Sequence, residues 1–278
     1  MYVRGKTDKG IYAASRKAFY EIDKIGFTDI GHIAFGNSRT SMISMKALAD
    51  DESQRNKTVI VSDDYTYKKA KEFGLKNVEL IDEDMLDDIK NIDFAYISGA
   101  GQVDLDRYML KGGMLKNGAD KLYGTSVKLE KELTRKTGRG PFIALIDENN
   151  LKSYLGHDNY PLRIEFEPGK DKIVKEFIEH TMHVPKLAKK LAKRKGRGSQ
   201  FFETKGGMHV FDVPFNGSMY ENSLPLLEHE LEGFEYIGAT GLFALRKPDS
   251  VKIVGTEGLR NQNSMLYNDL ISDPISEI

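Results

Sequence analysis

The chain has 278 residues and a formal net charge of −1, so it has no overall charge bias toward nucleic acid or a membrane surface. It contains no cysteine, which excludes disulfides and thiolate metal sites and is typical of a reducing compartment. No apolar run approaches the roughly 20 residues that a membrane-spanning helix needs, and residues 1–6 lack the apolar core of a secretory signal. Composition therefore predicts a globular cytoplasmic protein with no membrane partner, and it does not indicate an oligomeric state.

Two segments precede the first predicted strand. Residues 1–10 are polar and are expected to form a loose arm. In residues 11–25 the apolar side chains recur at spacings of three and four, which is typical of an amphipathic helix, and Gly26 is placed to end it. The sequence therefore predicts a helix directly before the first strand.

Residues 28–101 repeat the pattern of a short apolar run, a turn and a charged helical run. The apolar runs that are predicted to be strands are 30–35, 58–62, 77–81 and 94–97. Strands that alternate with helices in this way are typical of parallel sheets. The fold class predicted is therefore α/β, with a doubly wound, mostly parallel Rossmann-like sheet.

Three of these strand ends carry residues that suit a nucleotide. Gly36, Asn37 and Ser38 follow the first strand, where backbone N–H groups at the start of a helix can approach a phosphate. Asp63 follows the second strand, where a carboxylate can accept hydrogen bonds from both hydroxyls of a ribose. The fourth strand ends at Ser98. The pattern indicates a nucleotide-binding half of a parallel sheet.

On these residues, segment 12–101 resembles the class I methyltransferases that use S-adenosylmethionine. The resemblance implies that S-adenosylmethionine is the cofactor, and that Ser98 and Gly99 lie at the methyl-transfer edge. The family's other cofactor-binding positions fall on Ala34, Gly36, Asn37 and Ser38 for the glycine-rich turn, Asp63 for the ribose, and Asp84 and Met85 for the adenine. Residues 15–24 are also weakly similar to the N-terminal helix of RNA 2′-O-methyltransferases.

A fifth apolar run, 142–146, is predicted to be a buried strand. It ends in Asp147 and Glu148, and its carboxyl end would lie beside those of the other strands. The sequence identifies no catalytic residue, but these two carboxylates are the ones to test for proton removal. Residues 104–114, which precede this strand, are compatible with a helix.

A dense basic run occupies residues 186–198, and because the whole chain is nearly neutral, the rest of the chain is acidic by about the same amount. Its cations are Lys186, Lys189, Lys190, Lys193, Arg194, Lys195 and Arg197. As a helix it would present them to a phosphate backbone, with Phe201 and Phe202 available to stack on bases. Alternatively, Leu187 and Leu191 dock a helix whose other face is only solvated. Nucleic acid is therefore the predicted partner, and the solvated helix is the alternative.

The chain divides into four predicted segments. These are a cofactor-binding Rossmann-like half (1–150), a basic insertion (151–205), a C-terminal completion of the sheet (206–248) and a polar tail (249–278). The C-terminal completion is expected to end in an antiparallel hairpin over residues 233–247. His180 and His183 lie three apart on a predicted helix, but no third ligand is placed near them, so no metal site is predicted.

The function predicted from these features is an S-adenosylmethionine-dependent methyltransferase that acts on a nucleic acid. One alternative is a protein that keeps the fold, has lost the cofactor, and serves as a nucleic-acid-binding or structural protein. Another is a transferase that uses a nucleotide sugar, whose ribose would also meet Asp63. The sequence does not identify the methyl acceptor.

Overall fold

The computed structural model describes residues 4–24, 31–36, 38–81, 85, 94–104, 109–112, 114–117, 142–147, 151–152, 162–181, 192–193, 203, 208–213, 234–236, 241–246, 250–255 and 272–274. The helices are α1 Arg4–Lys24, α2 Arg39–Ala49, α3 Asp64–Glu72 and α4 Asp171–Thr181. The strands are β1 His32–Phe35, β2 Thr58–Val61, β3 Val78–Leu80, β4 Phe94–Asp104, β5 Met109–Gly112, β6 Met114–Asn117, β7 Phe142–Asp147, β8 Leu151–Lys152, β9 Leu162–Phe166, β10 Ala192–Lys193, β11 His209–Val213, β12 Phe234–Tyr236, β13 Gly241–Arg246, β14 Ser250–Gly255 and β15 Ser272–Pro274.

The chain forms two compact units. Unit 1 contains residues 1–100, 132–151 and 237–278, and unit 2 contains residues 101–131 and 152–236. No helix in the described part of the chain combines the length and the apolar character that a membrane crossing requires.

The sheet of unit 1 has the strand order β3-β2-β1-β4-β7-β13-β14-β15. Strands β3 to β13 run parallel to one another, whereas β14 and β15 are antiparallel to their neighbours. In the register of the central strands, Ile33 pairs with Val59 on one side and with Ala95 on the other. The prediction of a mostly parallel Rossmann-like α/β sheet is therefore confirmed.

The central strands are mostly apolar, as is usual for parallel strands that are covered on both faces. Ala34 and Phe35 of β1 are fully buried, as are the residues of β2 from Val59 to Val61. Helix α1 packs onto this core through Ala14, Ala18 and Phe19, and helix α2 packs through Met45, Ala47 and Leu48. This packing fixes α1 and α2 against the sheet and so positions the start of α2 beside the end of β1.

Helices α2 and α3 each begin at a polar side chain that caps the first turn. Ser38 Oγ accepts a hydrogen bond from the N–H of Ser41 at 3.1 Å. Asp63 Oδ1 accepts one from the N–H of Thr66 at 2.9 Å. These side chains satisfy N–H groups that have no partner within their own helix. Gly74, with a φ of +89°, follows the end of α3, as its position in the sequence predicts.

Unit 2 contains a sheet with the strand order β10-β11-β9-β6. Strand β11 is antiparallel to β9 and β10, and β6 is parallel to β9. The rings of Phe166 and Phe211 stack between β9 and β11 with their centroids 4.4 Å apart. Lys175 of α4 lies 5.8 Å from the centroid of Phe211, so the helix covers this aromatic pair.

The structure differs from four local expectations. The helix expected over residues 104–114 is absent, because β4 extends to Asp104 and strands β5 and β6 follow. The hairpin expected over residues 233–247 is not formed, since β12 pairs with β5 and β13 pairs with β7 and β14. The tail from residue 249 contributes strands β14 and β15 to the sheet of unit 1, and the loose N-terminal arm is part of α1 from Arg4 onward.

Candidate functional site

The strand order of unit 1 changes direction beside β1. Strand β2 lies on one side of β1, whereas β4, the next strand but one beyond β2 in sequence, lies on the other. In open parallel sheets, ligands bind at such a point, outside the carboxyl ends of the strands. The pairing of Phe35 with Ile97 places the carboxyl end of β1 beside the first half of β4, which continues to Asp104, so Gly36 and Ser98 follow adjacent positions.

The first turn of α2 forms one wall of this site. Gly36, at the end of β1, is buried, and Ser38 is the N-cap. No acidic side chain occupies the first turn, and its first residue is Arg39. A helix N-terminus carries partial positive charge, and a guanidinium adds a full one. The turn therefore favours an anion.

Arg39 is held by a residue from another helix. Its Nη2 lies 2.6 Å from Oδ1 of Asp8 on α1, and its side chain remains 54% exposed. A charge-assisted contact of this length orients the guanidinium, while the exposure leaves other faces of it open to solvent. Arg39 can therefore meet a ligand without leaving Asp8.

Gly99 of β4 lies directly against Thr40 of α2. A Cβ added to Gly99 would lie 2.5 Å from Oγ1, 2.7 Å from Cβ and 3.0 Å from Cγ2 of Thr40. These distances are shorter than van der Waals contact, so the space beside Gly99 is already filled by the threonine side chain. The absence of a side chain at Gly99 therefore allows the first turn of α2 to approach the middle of β4.

A carboxylate stands at the end of the next strand. Leu145 of β7 pairs with Gly99, and Asp147, partly buried, follows two residues later as the last residue of β7. At about 3.3 Å per residue, Asp147 lies roughly 7 Å further toward the carboxyl edge of the sheet. Glu148, the other carboxylate predicted from the sequence, lies outside the described residues. The switch point thus combines an anion-attracting helix start with a carboxylate.

Asp63 at the end of β2 has a different environment. Oδ1 accepts from the N–H of Thr66, and Oδ2 accepts from Thr66 Oγ1 at 2.8 Å. Both carboxylate oxygens therefore bind the first turn of α3. This engagement explains why an acid is found at that strand end without requiring a ribose.

The family model of ribose 5-phosphate isomerase A (phosphoriboisomerase A) matches residues 58–258. The chain belongs to this family. Residues 58–258 include β2, β4 and β7 of the switch point together with all of unit 2. The match does not extend to β1, to α2 or to α1, the helix whose Asp8 contacts Arg39.

Solved structures of ribose 5-phosphate isomerases share the fold of this chain. Ribose 5-phosphate isomerase A from Methanocaldococcus jannaschii is 17% identical with a TM-score of 0.56, and the similarity covers 90% of this chain and 99% of that one. The enzyme from Plasmodium falciparum is also 17% identical, with a TM-score of 0.55 and coverages of 91% and 99%. A D-ribose-5-phosphate isomerase in complex with phospho-erythronic acid is 20% identical, with a TM-score of 0.56 and coverages of 92% and 100%. No curated protein matches the chain in sequence.

The family membership corrects the predicted function. The prediction of a methyltransferase is wrong, and so is the prediction of S-adenosylmethionine as cofactor, because an isomerase of this family rearranges a sugar phosphate and transfers no methyl group. The cause of the error is that a Rossmann-like strand order serves many chemistries. The cytoplasmic location stays a prediction.

The residues predicted to bind the cofactor differ in burial and in their place in the fold. Ala34 is fully buried within β1, Ser98 lies within β4 opposite Ala144, and Met85 is exposed. Asn37 and Asp84 lie outside the described residues. Gly36 and Ser38 lie at the switch point, and a ligand-binding role for this turn stays a prediction, whereas S-adenosylmethionine as its ligand is wrong.

The predicted nucleic-acid surface is largely outside the described residues. In the basic run, only Ala192 and Lys193 are described, and they form β10 in place of the expected helix. Binding of nucleic acid by Lys186, Lys189, Lys190, Lys193, Arg194, Lys195 and Arg197 stays a prediction. Of the two histidines considered for a metal, His180 lies in α4 and His183 lies outside the described residues.

Sequence reasoning assigned no role to Arg39, Thr40 or Asp8. A serine before an apolar helical run is an N-cap signal, and it would have placed Arg39 in the first turn of α2. No local signal could have paired Arg39 with Asp8 or Thr40 with Gly99, because these contacts join residues far apart in the sequence.

Proposed function

We propose that this chain is an aldose–ketose isomerase that interconverts ribose 5-phosphate and its 2-keto isomer. The observation that carries the proposal is the match of the ribose 5-phosphate isomerase A family model over residues 58–258, well over half of the chain. The geometry of the switch point supports it, since it joins an anion-attracting helix start to a carboxylate on one sheet edge.

The reaction needs a proton to be moved between two neighbouring carbons. A base removes the proton from C2 of the open-chain aldehyde, and the resulting enediol accepts a proton at C1, while a proton passes from O2 to O1. Atoms and charge balance within the substrate, so no redox partner takes part. A positioned carboxylate can perform both proton transfers on carbon. We assign this role to Asp147.

The substrate also carries a phosphate that must be held. In the proposed site, the phosphate lies at the start of α2, where backbone N–H groups and the helix dipole attract it, and Arg39 donates charge-assisted hydrogen bonds to its oxygens. In the proposed pose, the pentose chain runs from the start of α2 toward Asp147. The phosphate thereby fixes which carbons meet the carboxylate.

The ligand of one structural relative agrees with this chemistry. A D-ribose-5-phosphate isomerase has been solved in complex with phospho-erythronic acid. A sugar-acid phosphate carries a planar carboxylate where an enediolate carries its two oxygens, so it resembles the intermediate of the proposed reaction. For this chain we therefore expect the same compound to inhibit competitively.

The experiment is proton NMR of ribose 5-phosphate in D₂O with the purified chain. The proposal expects ketose signals to grow and the C2 proton of the remaining aldose to exchange for deuterium. Asp147→Asn should slow the exchange by roughly a hundredfold or more. Asp63→Asn is the matched control, because it neutralises a carboxylate at the end of another strand, and it should leave the rate unchanged.

Two results would count against the proposal, one against the activity and one against the role of Asp147. One is a folded wild-type protein that produces neither ketose nor deuterium exchange. Full activity of Asp147→Asn would leave the isomerase activity in place and remove Asp147 from its role. Unphosphorylated ribose should react much more slowly than ribose 5-phosphate, because it lacks the group that the start of α2 binds.

A further inference from the structure

We infer that Gly99 and Thr40 form a positioning pair that sets the width of the substrate cleft. The inference rests on the proposed function, because it concerns the same switch point. It adds two residues that touch each other and do not perform the proton transfer. Gly99 contributes the space, and Thr40 occupies it.

The contact between Thr40 and Gly99 joins the two sides of the proposed substrate cleft, which are the start of α2 and strand β4. Thr40 is the second residue of α2, next to Arg39, and Gly99 lies on β4 opposite Leu145, two residues before Asp147. The distance between Arg39 and Asp147 therefore depends on how closely α2 approaches β4. That approach is limited by Thr40 against the backbone of Gly99.

Thr40 is fixed from its other side as well. Its carbonyl oxygen accepts a hydrogen bond from Ser44 Oγ at 3.0 Å, and Ser44 is fully buried against Ser15 of α1. Helix α2 is thus held by the core and has little freedom to move away. A methyl group at position 99 must displace the threonine side chain or shift the first turn of α2 outward.

The effect of such a shift on KM and kcat can be told apart from a general loss of structure. A displacement of about 1 Å in a group that binds the substrate can lower the rate by as much as a hundredfold. The proposed shift moves the phosphate-binding turn and leaves Asp147 in place. Gly99→Ala should therefore raise KM for ribose 5-phosphate roughly tenfold or more, with a smaller change in kcat.

The decisive variant is the double substitution Gly99→Ala with Thr40→Gly. All three close atoms belong to the side chain of Thr40, so its removal frees the space that the new methyl group needs. We expect KM of the double variant to return most of the way to the wild-type value. Gly99→Ala combined with Thr40→Ala should lower KM by less, because alanine keeps the Cβ, which lies 2.7 Å from the added atom.

Gly31 offers a matched control. It precedes β1 in the same unit, and a Cβ added there meets nothing within 4 Å. Gly31→Ala should leave KM and kcat unchanged. An equal rise of KM in Gly31→Ala would show that any methyl group on a glycine of this sheet disturbs the protein, and it would overturn the inference.

The test separates this inference from the proposed function. If the wild type isomerises ribose 5-phosphate but Gly99→Ala has a normal KM, or Thr40→Gly fails to restore it, the pair has no positioning role and the function stands. If the wild type has no isomerase activity, the function fails, and the pair is judged by calorimetric titration with inorganic phosphate. Weaker phosphate binding in Gly99→Ala that Thr40→Gly restores supports the pair; unchanged or absent binding overturns it.

Discussion

The hydroxyl groups of Ser15 in α1 and Ser44 in α2 make three hydrogen-bonding contacts but have only two protons to donate. Their Oγ atoms lie 2.8 Å apart in the core, Ser15 Oγ lies 2.7 Å from the carbonyl oxygen of Ile11, and Ser44 Oγ lies 3.0 Å from that of Thr40. Two hydroxyl groups supply two protons for three contacts. One contact is therefore always without a proton, and the two hydroxyls can exchange roles.

Replacement of Ser15 by alanine should accordingly be mild. Ser44 keeps its proton and can give it to the carbonyl oxygen of Thr40, so no buried donor is left without an acceptor. We expect Ser15→Ala to lower the free energy of unfolding by about 1 kcal/mol or less, as measured by urea denaturation. Ser15→Val, which adds volume to the same packed position, should cost more. A loss well above 2 kcal/mol in the alanine variant would contradict the shared-proton arrangement.

Asp63 is expected to act on stability and not on substrate binding. Asp63→Ala removes the acceptor for the N–H and the hydroxyl of Thr66 and should lower the free energy of unfolding by about 1–2 kcal/mol. Asp63→Asn keeps a side-chain oxygen for the N–H and should cost less. Thermal or urea unfolding measures both. A folded Asp63→Asn protein with a strongly raised KM would instead return Asp63 to the ligand-binding role that the sequence indicated.

Arg39 is expected to bind substrate and to contribute little to stability. Arg39→Gln should raise KM for ribose 5-phosphate by roughly tenfold or more, because a charge-assisted contact with phosphate is lost. Its exposed contact with Asp8 is worth less than about 1 kcal/mol to the folded state. Arg16 of α1, whose Nε lies 3.3 Å from Oδ2 of Asp51 just after the end of α2, is the matched guanidinium. Arg16→Gln should leave KM unaltered, and similar effects of the two variants would argue against a specific role for Arg39.

Tyr12 predicts a dependence of stability on alkaline pH. Burial, and then the hydrogen bond that its hydroxyl donates to Asp50 at 3.0 Å, raise the pKa of Tyr12 above its ordinary value of 10.0. The folded state therefore keeps a proton that the unfolded chain releases. This contribution is complete below pH 10.0 and is lost as the pH rises through the folded pKa. The stability difference between the wild type and Tyr12→Phe should shrink over that range in urea denaturation series; a constant difference would exclude the linkage.

The sheet could be predicted from the sequence because the central runs of its strands are apolar. The runs that contain Ile33, Val59 and Ile143 are short, bounded by turn residues and separated by helical patterns, and all three residues are buried in strands of one parallel sheet. Local patterns of this kind depend on the residues themselves.

The ligand could not be predicted in the same way. An acid at the end of β2 fits either a ribose or a helix cap, and only the position of Thr66 decides between them. The contact of Gly99 with Thr40 joins residues from different strands and helices, and so does that of Asp8 with Arg39. Such contacts arise from the packing of the whole unit, whereas the parallel strand order is common to proteins with many substrates.

The division of unit 1 into three stretches of chain affects how the protein is made on the ribosome. Strand β7 forms part of the core, yet its partner β13 is translated only after about 90 further residues, which at 5–20 residues per second takes roughly 5–20 s. During this interval one edge of an apolar strand has no native partner and can pair with another nascent chain. Slower emergence of residues 152–236 would prolong that exposure, so the yield of soluble protein depends on the rate of translation through unit 2.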